Sequence, residues 1–193
     1  MKTANPFSIF RDWYQEAIDA CTPDPTIMTL ATVDAKGKPS ARIVLLKSFD
    51  EMGFVFYTNY QSRKGMDLER NPRAALVFHW RETGQQVRIE GLTEKVPTSV
   101  SDRYFESRPR GSQLGAWASE QSREISSKSS LDESLKKWES KFQNQPVPRP
   151  PYWGGYRVIP DNIEFWSDRE NRMHERMLFE KTDHGWVFKR LAP

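Results

Sequence analysis

From Thr26 to Val96 the sequence is a succession of β-rich runs separated by turn signals, and this stretch restricts the possible folds more than any other. "TIMTLATV" and "SARIVLLKSF" are β-rich runs joined by "DAKGKP", a hairpin signal. "FVFYT" follows the turn "DEMG", and "AALVFHW" and "QQVRIEGLTEKV" bring the count to five strands in about seventy residues. Strands mostly in hairpin order predict an antiparallel sheet or small barrel, not a parallel α/β fold. Between the third and fourth strands "SRKGMDLERN" reads as a short helix capped by Ser62.

Other patterns flank this core, which spans about 26–96. Asn5-Pro6 is an N-cap followed by proline at the first helical position. Phe7, Phe10, Tyr14, Ala17, Ile18 and Cys21 then recur at helical spacing, which predicts an amphipathic helix over about 6–21. A helical segment is expected over about 98–145. In it "TSVSDRYFES" is a helix and "RPRGSQLGAWASEQSRE" a polar, loop-like stretch. Ser130-x-x-Glu133 forms a capping box for a helix with Leu131, Leu135, Trp138 and Phe142 on one face. After the extended, proline-rich "QNQPVPRPPYWGG", strands are predicted at "YRVIP", "NIEFW", "RMLFEK" and "WVFKRL", within about 153–193. Too little chain follows the prolines to fold alone, so the expectation is one domain over 1–193, mainly β with flanking helices (α+β).

Hydrophobic residues make up only 37% of the chain, yet aromatics reach 12% with seven tryptophans. A polar chain rich in large rings suits a modest core completed by an interface or a planar ligand. The 29 basic and 26 acidic residues interleave, for a net charge of +3. Nucleic-acid binders cluster Lys and Arg on one element, so small anions such as phosphates suit this chain better. Cys21 is the only cysteine, which excludes an intramolecular disulfide and suits a reducing compartment. No signal-peptide core or membrane-length apolar run is present, and the expected location is cytoplasmic.

The sequence carries no Gly-rich dinucleotide fingerprint, P-loop or nucleophile elbow. His79, His174 and His184 are too scattered for a zinc site, so no metal is expected. "SRKG" is more informative. A helix N-terminus favours acidic side chains, yet Arg63 and Lys64 occupy this first turn; a bound anion or simple solvation would each accommodate them. Arg42 and Lys47 lie five apart, so on a regular strand they point to opposite faces. "YFESRPRGS" groups Tyr104, Arg108, Arg110 and Ser112 at a helix end and turn, as phosphate donors or as a solvated basic loop. In "EFWSDRENRMHERM", Arg172, His174 and Arg176 alternate and would share one face of a strand. That row is either part of a site or a solvent-facing strand.

Together, "RIVLLK", "FYTNYQSRK", "SRPRGSQLGAW", "EQS", "YWGGYRV", "IEFW", "RMHER" and the terminal "RLAP" resemble the pyridoxine/pyridoxamine 5'-phosphate oxidase family, in family order. The resemblance implies a split β-barrel homodimer with FMN at the subunit interface. It implies FMN contacts from Arg42, Ile43, Val44, Leu45, Leu46, Lys47, Tyr57, Thr58, Arg63, Lys64, Gln86, Gln121, Ser122, Trp166 and Arg176. Lys47, Tyr104, Arg108 and Ser112 would hold the substrate phosphate, with Arg172 and His174 against its ring as the catalytic pair. The implied reaction converts pyridoxine or pyridoxamine 5'-phosphate to pyridoxal 5'-phosphate, with dioxygen reduced to hydrogen peroxide and ammonia released from the amine. A same-fold oxidase of another pathway, such as phenazine biosynthesis, and a non-catalytic flavin or pyridoxal phosphate carrier are the alternatives. Ser167, after Trp166, departs from the glutamine, histidine or glycine the family pattern leads one to expect.

Overall fold

A computed structural model describes residues 5–20, 22–125 and 127–193; Cys21, expected on the first helix's apolar face, lies outside them. Helix α1 (Pro6–Asp19) begins as predicted, with the Asn5 side chain accepting a hydrogen bond from the Phe7 N–H. Its apolar stripe enters the main core. Phe10 is fully buried and meets Phe49, Phe54 and Phe78 edge-on, at ring separations of 4.8, 4.8 and 5.2 Å.

The described strands are β1 (Ile27–Val33), β2 (Pro39–Leu45), β3 (Ser48–Asp50), β4 (Gly53–Asn59), β5 (Arg73–Trp80), β6 (Gln85–Lys95), β7 (Trp153–Ser167), β8 (Glu175–Thr182) and β9 (Gly185–Leu191). They form one antiparallel sheet in the order β2-β1-β5-β6-β7-β4-β3, with β8 beside β7 and β9 beside β8. Along β1 and β5 buried residues alternate with more exposed ones, as period-two patterning demands, while β4 is buried at almost every position. The sheet curls into a half-barrel around α1.

Two strand readings change. "SARIVLLKSF" is not one strand: β2 ends at Leu45, Leu46 turns into the core at 3% exposure, and the Lys47 N–H donates to the Val55 carbonyl of β4. Conversely, "YRVIP" and "NIEFW" belong to the single strand β7. Pro160 looks like a break but sits at a β-bulge, where Glu90 pairs with Asn162 and Gly91 with Pro160, leaving Asp161 over. A Cβ on Gly91 would come within 2.0 Å of the Ile159 carbonyl oxygen, so the bulge needs glycine. The bulge is also a branch point. β4 pairs with β7 as far as Val158, and β8 takes over from Asn162.

Helices α2 (Arg63–Arg70), α3 (Thr98–Ser107), α4 (Arg110–Ala118) and α5 (Lys128–Lys141) complete the described elements. α4 corrects the loop-like reading of "RPRGSQLGAW". Its glycines and serines are poor helix formers, but Leu114 is buried with Phe105, Phe142 and Trp153, and that packing overrides propensity. α5 starts earlier than the capping-box reading: Ser127, not Ser130, is the N-cap and accepts from the Ser130 N–H. Leu135, Trp138 and Phe142 pack in this second cluster, whereas Leu131 stays 38% exposed.

Candidate active site

α2 is held close against the end of β4. The Ser62 hydroxyl accepts from the Gly65 N–H, capping the helix, and donates to the Asn59 carbonyl at 2.7 Å. A side chain at Gly65 would meet the Tyr60 carbonyl oxygen at 2.2 Å, so glycine permits this approach. The anchoring turns Lys64 inward and leaves Arg63 exposed. Lys64 Nζ donates to Gln121 Oε1 at 3.0 Å, and Thr58 Oγ1 reaches the same oxygen at 3.3 Å. Burial, with a smaller push from Arg42, lowers the Lys64 ammonium to about 8.

Lys64 borders a cavity of about 540 Å³ between β2, β4, α2 and α4, within the usual range for small-molecule and cofactor sites. Four consecutive residues of β2, Arg42 to Leu45, line it, so the open edge of that strand faces the space and offers unpaired backbone groups. Among the described residues four cations line the cavity, Arg42, Lys47, Lys64 and Arg108, and no acidic residue does. Arg42 is fixed from behind: Nη1 donates to Thr32 Oγ1 at 2.8 Å and to the Leu30 carbonyl at 3.2 Å. Thr32 in turn donates to buried Asp67 at 2.7 Å, and the Asp67 carboxylate lies 3.8 Å from the guanidinium. Burial lowers the pKa of both Arg42 and Arg108, which nevertheless stay charged.

The far wall is aromatic. Tyr57 and Tyr104 stack at 3.9 Å, and Trp153 lies nearly parallel to both, at 5.4 Å from Tyr57 and 6.2 Å from Tyr104. Burial, then Tyr104, raises the Tyr57 phenol, which stays neutral. Arg108 ends α3 in extended conformation, as a residue before proline must, and Ser112 sits in the first turn of α4. Gly115, Ala116 and Ser119 continue that face with small side chains, leaving room for a planar molecule.

The structure brings Arg42, Ile43, Val44, Leu45, Lys47, Tyr57, Thr58, Lys64, Tyr104, Arg108, Ser112 and Gln121 together around this cavity. Arg42 and Lys47 share it despite their five-residue spacing, because β2 ends at Leu45 and strand parity stops there. Leu46, Arg63, Gln86, Ser122, Trp166, Arg172, His174 and Arg176 do not line it. Sequence reasoning gave no role to Trp153, Asn59 or the small face of α4. Spacing of Ser112, Ala116 and Ser119 at i, i+4 and i+7 would have exposed that face had α4 been read as a helix.

The remaining residues form a second group. Gln86 pairs with Trp166, which pairs with Arg176 across three adjacent strands. The expected strand row of Arg172, His174 and Arg176 is not present. Glu170–Arg172 is a 3₁₀ turn with φ of 54° at Asn171 and 59° at Arg172, and β8 begins only at Glu175. The His174 ring instead lies 4.5 Å from that of Trp166, with Nδ1 3.0 Å from Asp168. Arg176 donates to Glu164 at 2.7 Å, and Arg88 reaches the same carboxylate at 3.2 Å. Gly155, opposite Tyr57, and Trp166 are separated by roughly 35 Å of β7.

Among the described residues no helix is long and apolar enough to cross a membrane. A family profile described as "Pyridoxamine 5'-phosphate oxidase" matches residues 14–142. A second, "Pyridoxine 5'-phosphate oxidase C-terminal dimerisation region", matches 153–193. The chain is 57% identical over 190 residues to a pyridoxine/pyridoxamine 5'-phosphate oxidase of Acaryochloris marina, covering 98% of this chain and 87% of that protein. It is 54% identical to one from Nostoc punctiforme, covering 98% and 89%. Among solved structures it resembles PhzG of Burkholderia lata in complex with tetrahydrophenazine-1-carboxylic acid, with TM-score 0.94, 30% identity, and coverage of 100% and 94%.

Proposed function

Because this chain belongs to the pyridoxine/pyridoxamine 5'-phosphate oxidase family, an oxidoreductase family, we propose that it oxidises pyridoxine and pyridoxamine 5'-phosphates to pyridoxal 5'-phosphate. The observation that carries this reading is the cavity: four cations, no acidic lining residue, and stacked rings beside them. Such a donor set fits two phosphorylated planar molecules. It fits FMN as cofactor through Arg42, Lys64, Thr58, Gln121 and the open edge of β2, and the substrate phosphate through Lys47, Tyr104, Arg108 and Ser112. Bound FMN supplies hydride-accepting chemistry, with dioxygen taking the electrons and leaving as hydrogen peroxide. The chain's own contribution is position and charge. Arg42 and Lys64 neutralise phosphate in a partly desolvated space, and Tyr57 and Tyr104 give a flat wall against which rings align.

The reading includes a homodimer. Arg172, His174, Trp166 and Arg176 lie far along β7 from the cavity of their own protomer, so a second copy is what would bring them to it. The description of the profile matching 153–193 as a dimerisation region supports this, as do Ile43 at 60% and Met173 at 67% exposure, large apolar residues for a solvent face. At a joint site Arg172 would orient the substrate ring and favour the charge developing as hydride departs, and His174 would hold or move a proton at the ring substituents.

The PhzG likeness sustains a phenazine-type oxidase as the second reading. Identity of 54–57% to the vitamer oxidases, against 30% to PhzG, favours the phosphorylated substrate, as do the four convergent phosphate donors. The test is to release and chromatograph the bound flavin, then follow its absorbance anaerobically on adding pyridoxine 5'-phosphate. FMN that bleaches supports the proposal. A colourless protein, FAD, or a flavin that bleaches only with a dihydrophenazine carboxylate would overturn it.

A further inference from the structure

Arg108 is held in an unusual way for a half-buried cation. Among the described residues no carboxylate pairs with it, and its Nη1 is buried without a hydrogen-bond acceptor. What it meets is aromatic: the guanidinium carbon lies 4.6 Å from the centre of the Trp153 ring and 5.4 Å from that of Phe105. The two rings are themselves fixed edge to face, at 5.1 Å. Trp153 is buried at 7% exposure as the first residue of β7, where it pairs with Asn59, and its carbonyl accepts from Arg149. This platform is therefore anchored independently of Arg108.

The choice of an aromatic support over an acidic one has a chemical consequence. A carboxylate would orient the guanidinium by taking two of its N–H donors and cancelling its charge. A ring face orients the plane through its quadrupole and takes neither. We propose that Trp153 is a positioning residue that holds the Arg108 guanidinium over its ring face, so that the donors and the full charge stay available to the substrate phosphate. The inference rests on the reading of Lys47, Tyr104, Arg108 and Ser112 as the phosphate-holding set.

The test is a double-mutant cycle on the flavin-loaded protein, with pyridoxine 5'-phosphate as the titrated probe and flavin content as the control for folding. Trp153→Leu should weaken the probe about tenfold, the loss expected of a desolvated cation–π contact. Trp153→Phe, which keeps a smaller ring, should recover to within about threefold of the parent. In an Arg108→Ala background both substitutions should have no further effect, because the residue they act through is gone. Additive losses in that background, or parental affinity in Trp153→Leu, would overturn the inference while leaving the functional reading intact. Should Trp153→Leu fail to retain flavin, Trp153→Phe carries the same cycle with a smaller signal, and parental affinity there counts against the proposal. A parent that binds no pyridoxine 5'-phosphate sinks the functional reading, and this inference with it.

Discussion

Around the cavity, Arg42, Lys47, Lys64 and Arg108 have a single carboxylate near them among the described residues, Asp67, set 3.8 Å behind Arg42. The C-terminal hairpins pair more than half of their cations with acids, and among the described residues only Arg172, Lys181 and Arg190 there lack an ion pair. Arg88 and Arg176 both reach Glu164, Arg169 reaches Glu175 at 2.6 Å, and Lys189 pairs with Glu180. The two regions show what different energetic work like residues do. Cations withdrawn from water without partners cost free energy in the folded chain, and they regain it when an anion arrives. Cations that already have acids contribute to folding and have little left for a ligand. Substitutions in the first region should therefore appear in binding, and those in the second in stability.

The largest expected effect would break that division. Arg172 and His174 belong to the C-terminal region by position, yet they are assigned to catalysis in a joint dimeric site. His174→Ala should lower turnover with pyridoxine 5'-phosphate about a hundredfold or more, the usual weight of a positioned acid–base group. Arg172→Lys keeps the charge and loses the planar fork, so it should not restore activity. Both should stay yellow, whereas Arg176→Ala, a further exception because the family resemblance sets this Glu164-paired arginine against FMN, should lose FMN first. Steady-state kinetics beside flavin stoichiometry decide; parental turnover in both variants would leave the C-terminal group purely structural.

Within the cavity, Arg108→Ala should weaken the phosphorylated substrate about ten- to a hundredfold through loss of a charge-assisted hydrogen bond. Flavin retention and melting temperature should hold. Equal losses for flavin and substrate would make Arg108 a structural residue.

Glu164→Gln sharpens the contrast from the other side. Glu164 is 7% exposed and serves two arginines, although Arg88 at 42% and Arg176 at 27% side-chain exposure are screened by water. Flavin-free protein should lose about 1–2 kcal/mol, less than a fully buried pair would cost. Denaturant titration that gave parental stability would show the network to be idle.

The smallest effect concerns pH. The Lys64 ammonium is lowered from 10.5 to about 8 in the folded chain, so between those values the unfolded state binds more protons. Stability of the flavin-free protein should rise slightly as pH climbs through that window. FMN affinity should fall over the same window, because the phosphate prefers the charged ammonium and its own second ionisation, near pH 6, is complete below that window. Lys64→Met should flatten both slopes, and isothermal titration across the range would detect a residual slope that contradicts the assignment.

Much of this was legible in the sequence because the causes are local. Asn5-Pro6 caps its helix through its own side chain, and Ser62 opens α2 as read. The sign of the charge around "SRKG" and "SRPRGS" was also visible, since a basic first turn conflicts with the helix dipole wherever it is placed. Apart from the start of α5, where nearby Ser127 caps in place of Ser130, the misreadings lie where a distant segment decides. α4 forms because Leu114 is drawn under Phe105 and Trp153. β7 runs through Pro160 because Gly91 on the neighbouring strand permits a bulge there. Arg42 and Lys47 converge because Leu46 is pulled into a core that includes α1 and β4. In the same way, spacing alone makes Arg172, His174 and Arg176 a row, and the positive φ at Asn171 and Arg172 dissolves it. Sequence by itself determined most of the elements, their antiparallel character and the chemistry of the donors. Tertiary structure alone decided which cations would be left without acids, because burial and pairing depend on segments separated by most of the chain.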